Sequence, residues 1–253
     1  MFYQEEITLS TLICDEDDKL TLWGLARLFQ DVAEDHSESL GVGYWGLKPM
    51  LRAWILTRVY YNVLRLPTAG EKLTLRTWAK PDNGLIAPRD YQLIDAEGKI
   101  CAASASNWVV LNMETRRVCR LGDIIKPYEK LNEHATSVEK FDKMHIDEDL
   151  PLIKHIDIPY SAIDHTHHVN NAEYMKWICD SIPEVCKQHD DPSRREIAEF
   201  DINYVKETKY DDPNVNLYGN VVHDGDTDEW QFRLTNSNGV AVLAQVKVKK
   251  NLL

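Results

Sequence analysis

The sequence predicts an α+β protein of the double hotdog class, in which two tandem repeats each wrap a long helix in a curved antiparallel sheet. Three observations carry this prediction. Two distant stretches, "YQLIDAEGKICAASA" (91–105) and "FRLTNSNGVAVLAQV" (232–246), share one pattern: aromatic, polar, Leu, a turn ending in Gly, then a small or apolar run. Leu93 and Gly98 match Leu234 and Gly239 at one offset, 141 residues. Upstream of each stretch lie two further strand-like segments and an amphipathic helix. Self-similarity at this scale marks a repeated architecture.

Taken in order, "LTLWGLARLFQDVAEDHSESLG" places Leu25, Leu28, Phe29 and Val32 at i, i+3, i+4 and i+7. That spacing puts them on one helical face, and Gly41 is the expected stop. "RVYYNVLRLPTAGEKLTLRTW" (58–78) reads as strand, Pro-containing turn, strand. Residues 91–105 then form a hairpin whose turn closes on Gly98. A charged stretch, 126–150, is the expected linker. In the second half, "NNAEYMKWICDSI" repeats the helical pattern with Tyr174, Trp177, Ile178 and Ser181, Tyr174 lying 149 residues after Leu25. "DINYVKETKYDDPNVNLYGN" (201–220) repeats the strand pair, and 232–246 repeats the hairpin. The expected organisation is a first hotdog repeat over 1–125, a linker over 126–150 and a second repeat over 151–253.

Composition narrows the function classes. Of 253 residues, 43% are hydrophobic, enough for a real core, and no apolar run approaches the ~20 residues of a membrane helix. The amino terminus, "MFYQEEITLS", has neither the basic leader of a secretory signal nor an Arg- and Ser-rich transit character, so a cytoplasmic protein is expected. Five scattered cysteines without a CxxC pair argue against a disulfide framework or a zinc ribbon. The net charge of -12 argues against general nucleic-acid binding.

One stretch is dense in chemistry: "YSAIDHTHHVNNAEYMKW", residues 160–177. His165, His167 and His168 lie too close together for an ordinary metal-ligand set, and no carboxylate pair or Cys sits at standard spacing, so neither metal nor cofactor is expected. His165 and His167 read as exposed loop residues. Asn170 or Asn171 suits the N-cap of the following helix, whose first N–H groups and positive dipole end could hold a developing oxyanion. Asp164 and His168 bracket that helix start. At an offset of 149 they align with Asp15 and Lys19, and at 143 Glu207 aligns with Leu64. The acid–histidine chemistry is therefore expected once per chain, in the second half.

These residues resemble the acyl-[acyl-carrier-protein] thioesterases, typified by the plant fatty-acyl enzymes and their bacterial relatives. The resemblance spans nearly the whole chain: "WILTRVYYNVLRLPTAGEKLTLRTWA", "RDYQLID" and "SASNWVVLNMETRRVCRL" in the first half, "HHVNNAEYMKWICDSIPE" in the second. The family's catalytic loop, D-x-N-x-H-V-N-N, reads "DHTHHVNN", so Asp164 and His168 fall on its acid and histidine, and Thr166 stands where the plant enzymes have asparagine. The strand motif Y-x-x-E-C reads "YVKET": Glu207 matches the glutamate and Thr208 replaces the cysteine, which removes a thiol nucleophile there.

The resemblance implies hydrolysis of a fatty-acyl thioester on acyl carrier protein. Glu207 or His168 would be the general base for water, with Asp164 and Thr166 orienting and N–H groups near Asn170 and Asn171 receiving the oxyanion. Leu25, Leu28, Phe29 and Val32 read either as core or as the lining of an acyl-chain pocket, and the resemblance tips them toward the pocket. The acidic carrier protein would need a local basic patch; Arg116, Arg117 and Arg120, with Lys176 and Lys187, are the candidates. A monomer and a homodimer both fit. Rival readings are an acyl-CoA thioesterase, a dehydratase pairing His with an acid, and a non-catalytic acyl-binding protein.

Overall fold

In the computed structural model, which describes residues 2–182, 195–224 and 227–250, the chain divides into two units, Met1–Phe141 and Asp142–Leu253. The division falls within the 126–150 segment.

The first unit opens with β1 (Tyr3–Thr8), whose residues alternate between half-buried and exposed. Helix α1 follows, Leu22–Ser39. Thr21 caps it, its Oγ1 accepting the Gly24 N–H at 3.1 Å while donating to the Ile13 carbonyl at 2.9 Å. Gly24 has to be glycine: a Cβ there would lie 2.8 Å from the Ile13 oxygen. The helix stops as the sequence predicts, with Gly41 at φ +72° and its N–H returned to Glu38.

A short helix, α2 (Tyr44–Leu47), leads into β2 (Arg52–Val63), β3 (Lys72–Ala79), β4 (Ala87–Asp95), β5 (Ile100–Asn112) and β6 (Val118–Cys119). Within this unit β1 pairs β3, β3 pairs β4, β4 pairs β5, and β5 pairs both β2 and the short β6. Gly98, at φ +79°, closes the β4–β5 hairpin.

The second unit repeats the scheme. Its elements are β7 (Leu152–Ile156), helix α3 (Asn171–Cys179), β8 (Arg195–Tyr204), β9 (Val215–Asp224), β10 (Thr227–Asn236) and β11 (Gly239–Lys250). The pairings β7–β9, β9–β10, β10–β11 and β11–β8 reproduce β1–β3, β3–β4, β4–β5 and β5–β2. Repetition of the strand order, element for element, makes this a double hotdog.

Each helix buries the face its sequence predicts. Leu25, Phe29 and Val32 are buried, with Leu28 half-exposed at the edge of the stripe. Phe29 stacks on Tyr61 of β2 and Tyr91 of β4, ring centroids 6.2 and 5.1 Å away. In the second unit Tyr174, Trp177, Ile178 and Ser181 are all buried.

Part of the 126–150 segment is bound to the first unit. The Leu131 N–H reaches the Ala79 carbonyl at 3.0 Å, Trp78 Nε1 donates to the Glu133 carbonyl, and the Ala135 N–H donates to Asp90 Oδ2 at 2.8 Å. Tyr128 is buried and its hydroxyl donates to Ser37 Oγ at 2.8 Å. Beside it, Arg89 Nη1 donates to His36 Nδ1 at 3.0 Å and to Thr77 Oγ1 at 3.1 Å, with the guanidinium 5.2 Å above the Tyr128 ring.

His36 must keep Nδ1 unprotonated to accept from Arg89. Burial, reinforced by the Arg89 charge, pulls its pKa from 6.5 to about 4. Between these two values the unfolded chain binds a proton that the folded chain does not, so His36 makes stability fall as pH drops from 6.5 toward 4. The melting temperature of His36→Gln should therefore decline less steeply over that window than that of the unaltered protein. Parallel declines would show that His36 carries no such linkage.

Candidate active site

The loop between β7 and α3 is a tight turn closed by its own backbone. The Asp164 N–H donates to the His168 carbonyl at 2.9 Å, and the His167 N–H to the Asp164 carbonyl at 3.0 Å. His167 takes φ +64°, a left-handed conformation that lets the chain reverse between Asp164 and His168. Asp164 Oδ1 accepts the Thr166 N–H at 2.8 Å and the Thr166 hydroxyl at 2.6 Å. Thr166 Oγ1 in turn lies 3.4 Å from His168 Nδ1. Asp164, Thr166 and His168 thus form one polar chain.

The far end of that chain meets Glu207. His168 Nε2 lies 3.1 Å from Glu207 Oε2. Their backbones are pinned together: the Val169 N–H donates to the Thr208 carbonyl at 2.9 Å, and His168 bridges Lys209. The His168 side chain is mostly enclosed, at 12% exposure, while that of Glu207 is 34% exposed and open to solvent.

The asparagines divide their work. The Asn170 side chain accepts the Ala172 N–H at 2.9 Å and so caps α3, while its own N–H is committed to the Ala162 carbonyl at 2.9 Å. Asn171 is the first residue of α3, and its carbonyl accepts the Tyr204 hydroxyl at 3.0 Å. Of the two backbone N–H groups considered for an oxyanion, that of Asn170 is thus already engaged. His165 and His167 are exposed. Among the described residues no group of His, Cys, Asp and Glu is arranged to hold a metal ion.

The first unit carries the same scaffold without the chemistry. Asp15 accepts the Asp17 and Lys19 N–H groups, Asp18 takes φ +58°, and the Leu20 N–H donates to the Pro67 carbonyl at 2.8 Å. Lys19 stands at the His168 position. The Leu64 and Arg65 N–H groups both donate to the Cys101 carbonyl, as the Val205 and Lys206 N–H groups do to that of Ala241. This sets the offset at 141, which moves the counterpart of Glu207 from Leu64 to Leu66, also apolar.

Three supports of the site escaped the sequence reading. Asn236 Nδ2 donates to the Glu207 carbonyl at 3.0 Å and to Thr208 Oγ1 at 2.9 Å, fixing the strand end from β10. Tyr174 is buried beneath the site with its phenol bonded to Thr208; burial pushes its pKa well up, so it stays a neutral hydroxyl. Tyr204 anchors the start of α3. The helical stripe had already marked Tyr174 as buried, though not as a partner of Thr208; only the period-two alternation of β8 and β10 could have hinted at Tyr204 and Asn236.

Thr208, at the position of the family's cysteine, is buried and hydrogen-bonded. Cys101 is buried, and packing around the Cys179 sulfur pushes its thiol up to about 12. Cys186 and Lys187 lie outside the described residues.

A cleft in the first unit holds about 420 Å³ of space, part of it open solvent. Gln30, Ala33, Glu34 and Ser37 of α1 line it, together with Arg89, Trp108 and Tyr128 among others. Leu25, Leu28, Phe29 and Val32 are not among its lining residues.

Comparison with known proteins settles the family. The model of the acyl-ACP thioesterase N-terminal domain matches residues 1–128, and that of the C-terminal domain matches 145–249. The chain belongs to the acyl-ACP thioesterase family. It is 25% identical over 231 residues to oleoyl-acyl carrier protein thioesterase 1 of Arabidopsis thaliana, a chloroplastic protein, covering 83% of this chain and 61% of that one. A second Arabidopsis oleoyl-acyl carrier protein thioesterase is 25% identical over 258 residues, covering 94% and 67%. The chain thus spans about three-fifths to two-thirds of the length of these plant relatives. Among solved structures, an acyl-ACP thioesterase from Bacteroides thetaiotaomicron aligns with TM-score 0.82 at 22% identity, covering 98% of both chains. The 12:0-ACP thioesterase of Umbellularia californica aligns with TM-score 0.83 at 18% identity, covering 99% of this chain and 94% of that one. Both share the fold of the family. No helix among the described residues is long and apolar enough to cross a membrane.

Removing the Asn236 side chain should expose its role. Asn236→Ala leaves the buried Thr208 hydroxyl and the Glu207 carbonyl without this donor, which costs on the order of 1–3 kcal/mol. Urea unfolding would measure the loss; an unchanged midpoint would remove Asn236 from the account.

Proposed function

We propose that this protein hydrolyses the thioester of fatty acyl-[acyl-carrier-protein], releasing a free fatty acid and ending chain elongation. The observation that carries the reading is the 3.1 Å contact of His168 Nε2 with Glu207 Oε2, backed by Asp164 and Thr166 at the start of a capped helix. Family membership and the names of the relatives point to the same reaction.

The 2.6 Å Thr166–Asp164 contact places the hydroxyl proton toward Asp164. The Glu207 carboxylate can only accept, so the 3.1 Å contact places a proton on His168 Nε2. Glu207, the more open of the pair, takes a proton from water as the water oxygen attacks the thioester carbonyl. The new C–O bond leaves a tetrahedral oxyanion, which the Asn171 N–H at the positive end of α3 receives. Collapse breaks the C–S bond, and the proton held by Glu207 and His168 passes to the departing pantetheine sulfur. Water supplies the hydroxyl of the acid and the hydrogen of the thiol. No cysteine enters this sequence, in keeping with the buried Thr208.

The organisation follows from the repeat: a catalytic second repeat over 151–253, an acyl-selecting first repeat over 1–125, and 126–150 joining them. The first unit's cleft is the candidate acyl site; Ala33 and Ser37 line it from α1, and Leu25, Leu28, Phe29 and Val32 pack outside it. The cytoplasm is the proposed location.

Two experiments test this. The purified protein should release fatty acid from acyl-acyl carrier protein, and His168→Ala and Glu207→Gln should each lower turnover about a hundredfold or more with little change in melting temperature. Near-normal rates in both variants would overturn the assignment. Filling the cleft with Ala33→Leu should shift the released acids toward shorter chains, since one methylene in such a pocket is worth about 1–3 kcal/mol of discrimination. An unchanged product profile from a folded variant would place chain selection elsewhere.

A further inference from the structure

We infer that one end of the first unit's sheet, where the start of β2 meets the β5–β6 turn, is the docking surface for the acidic acyl carrier protein. The inference rests on the carrier-protein substrate proposed above and adds where that substrate binds.

Charge singles the place out. The chain carries 41 acidic and 29 basic residues. Residues 44–52 and 112–120 reverse this, with Lys48, Arg52, Arg116, Arg117 and Arg120 against Glu114 alone. Two further carboxylates are engaged with this corner's backbone, Glu34 Oε1 accepting the Tyr44 N–H at 2.8 Å and Glu38 Oε1 the Trp45 N–H at 2.9 Å, and Asp123, three residues past Arg120, pairs with Lys126 at 2.6 Å. An acidic partner approaching an enzyme of net charge -12 meets repulsion over most of the surface. It is steered to wherever the local sign changes.

The structure joins the two segments. Arg52 pairs with Asn112 across β2 and β5, and the Met113 N–H donates to the Leu51 carbonyl at 2.8 Å. The turn itself is stiff. Asn112 Oδ1 accepts the Glu114 N–H, the Thr115 N–H and the Thr115 hydroxyl at 3.1, 2.8 and 3.0 Å, and the Arg116 N–H returns to the Asn112 carbonyl at 2.9 Å. Leu51 and Arg116 both hold left-handed backbones, φ +53° and +55°. A cationic loop already fixed in one conformation loses little freedom when a partner arrives.

Apolar surface lies among the charges. Trp45 is 69% exposed, and Met50, Leu51 and Val118 are each about half exposed, at 48%, 46% and 51%. Lys48 Nζ sits 5.1 and 5.2 Å from the Tyr44 and Trp45 ring centres, so the corner offers an aromatic platform and a cation together. Exposed apolar side chains beside cations suit an acidic protein partner, the charge complementarity steering it and the apolar anchors holding it.

The test compares two substrates with the same acyl chain, one on acyl carrier protein and one on free pantetheine, which lacks the protein. In Arg116→Glu/Arg117→Glu, kcat/KM for the carrier-protein substrate should fall at least tenfold, mainly through KM. Hydrolysis of acyl-pantetheine should stay within about twofold. The rate of the unaltered enzyme with acyl carrier protein should also fall with added salt, and the variant should lose that dependence. Lys140→Glu/Lys143→Glu, the same charge change at exposed positions outside the patch, should leave both substrates unaffected. Unchanged carrier-protein kinetics in the Arg116/Arg117 variant would overturn the surface. So would an equal loss with both substrates, which would mark the arginines as structural, or an equal loss in the Lys140/Lys143 control, which would mark a bulk-charge effect. An unaltered enzyme that cleaves acyl-pantetheine but not acyl carrier protein would instead overturn the proposed substrate.

Discussion

One backbone hydrogen bond underlies the candidate site: the Val169 N–H to the Thr208 carbonyl, 2.9 Å. It ties the loop before α3 to the chain leaving β8, and with the His168–Lys209 bridge it holds His168 opposite Glu207. The first unit makes the corresponding bond, the Leu20 N–H to the Pro67 carbonyl at 2.8 Å, and the corresponding bridge, Lys19 to Thr68. The fold therefore supplies the same clasp twice. Only the side chains differ: Lys19 and Leu66 in one unit, His168 and Glu207 in the other. A scaffold that brings a loop and a strand end together is indifferent to what they carry.

The clasp works because the groups behind it are satisfied. Thr208 is buried, and its hydroxyl binds Asn236 while its carbonyl binds Val169. A thiol at this position would be a weaker hydrogen-bonding partner. The substitution of threonine for the family's cysteine thus reads as structural reinforcement beside a carboxylate. At the other end, the Asp164–Thr166 contact does for His168 what an asparagine amide would do from the same position: it supplies a polar neighbour for Nδ1.

The first unit spends its polar residues differently. His36, Arg89, Thr77, Ser37 and Tyr128 form a buried network that borders the cleft and binds the chain beyond residue 126 to the sheet. Lys80 extends this tie, with Nζ 2.6 Å from His134 Nδ1 and 3.5 Å from Asp90 Oδ2. The stretch whose charge reads as a solvated linker is thus partly core, because Tyr128 and the backbone near Leu131 and Ala135 find fixed partners. The exposed Asp31, Glu34 and Asp35 of α1 and the basic turn after β5 then give one unit surfaces of opposite charge.

Much was legible in the sequence because it is written locally. Period-3.6 stripes gave the buried faces of α1 and α3, glycine at 98 and 239 gave the hairpin turns, and Asn170 gave a cap. Asp164, Thr166 and His168 sit within five residues, so a turn alone unites them. What tertiary structure decided is nonlocal. Glu207 lies 39 positions beyond His168, and only strand pairing sets their 3.1 Å separation. Hydrogen-bond register, which no side-chain pattern encodes, moved the counterpart of Glu207 from Leu64 to Leu66. It also committed the Asn170 N–H to the Ala162 carbonyl. Packing against Tyr61 and Tyr91 enclosed Phe29, while the cleft opened beside Ala33 and Ser37. Composition and periodicity determine which residues leave water; which of them meet is fixed by the register in which distant strands share their N–H and C=O groups.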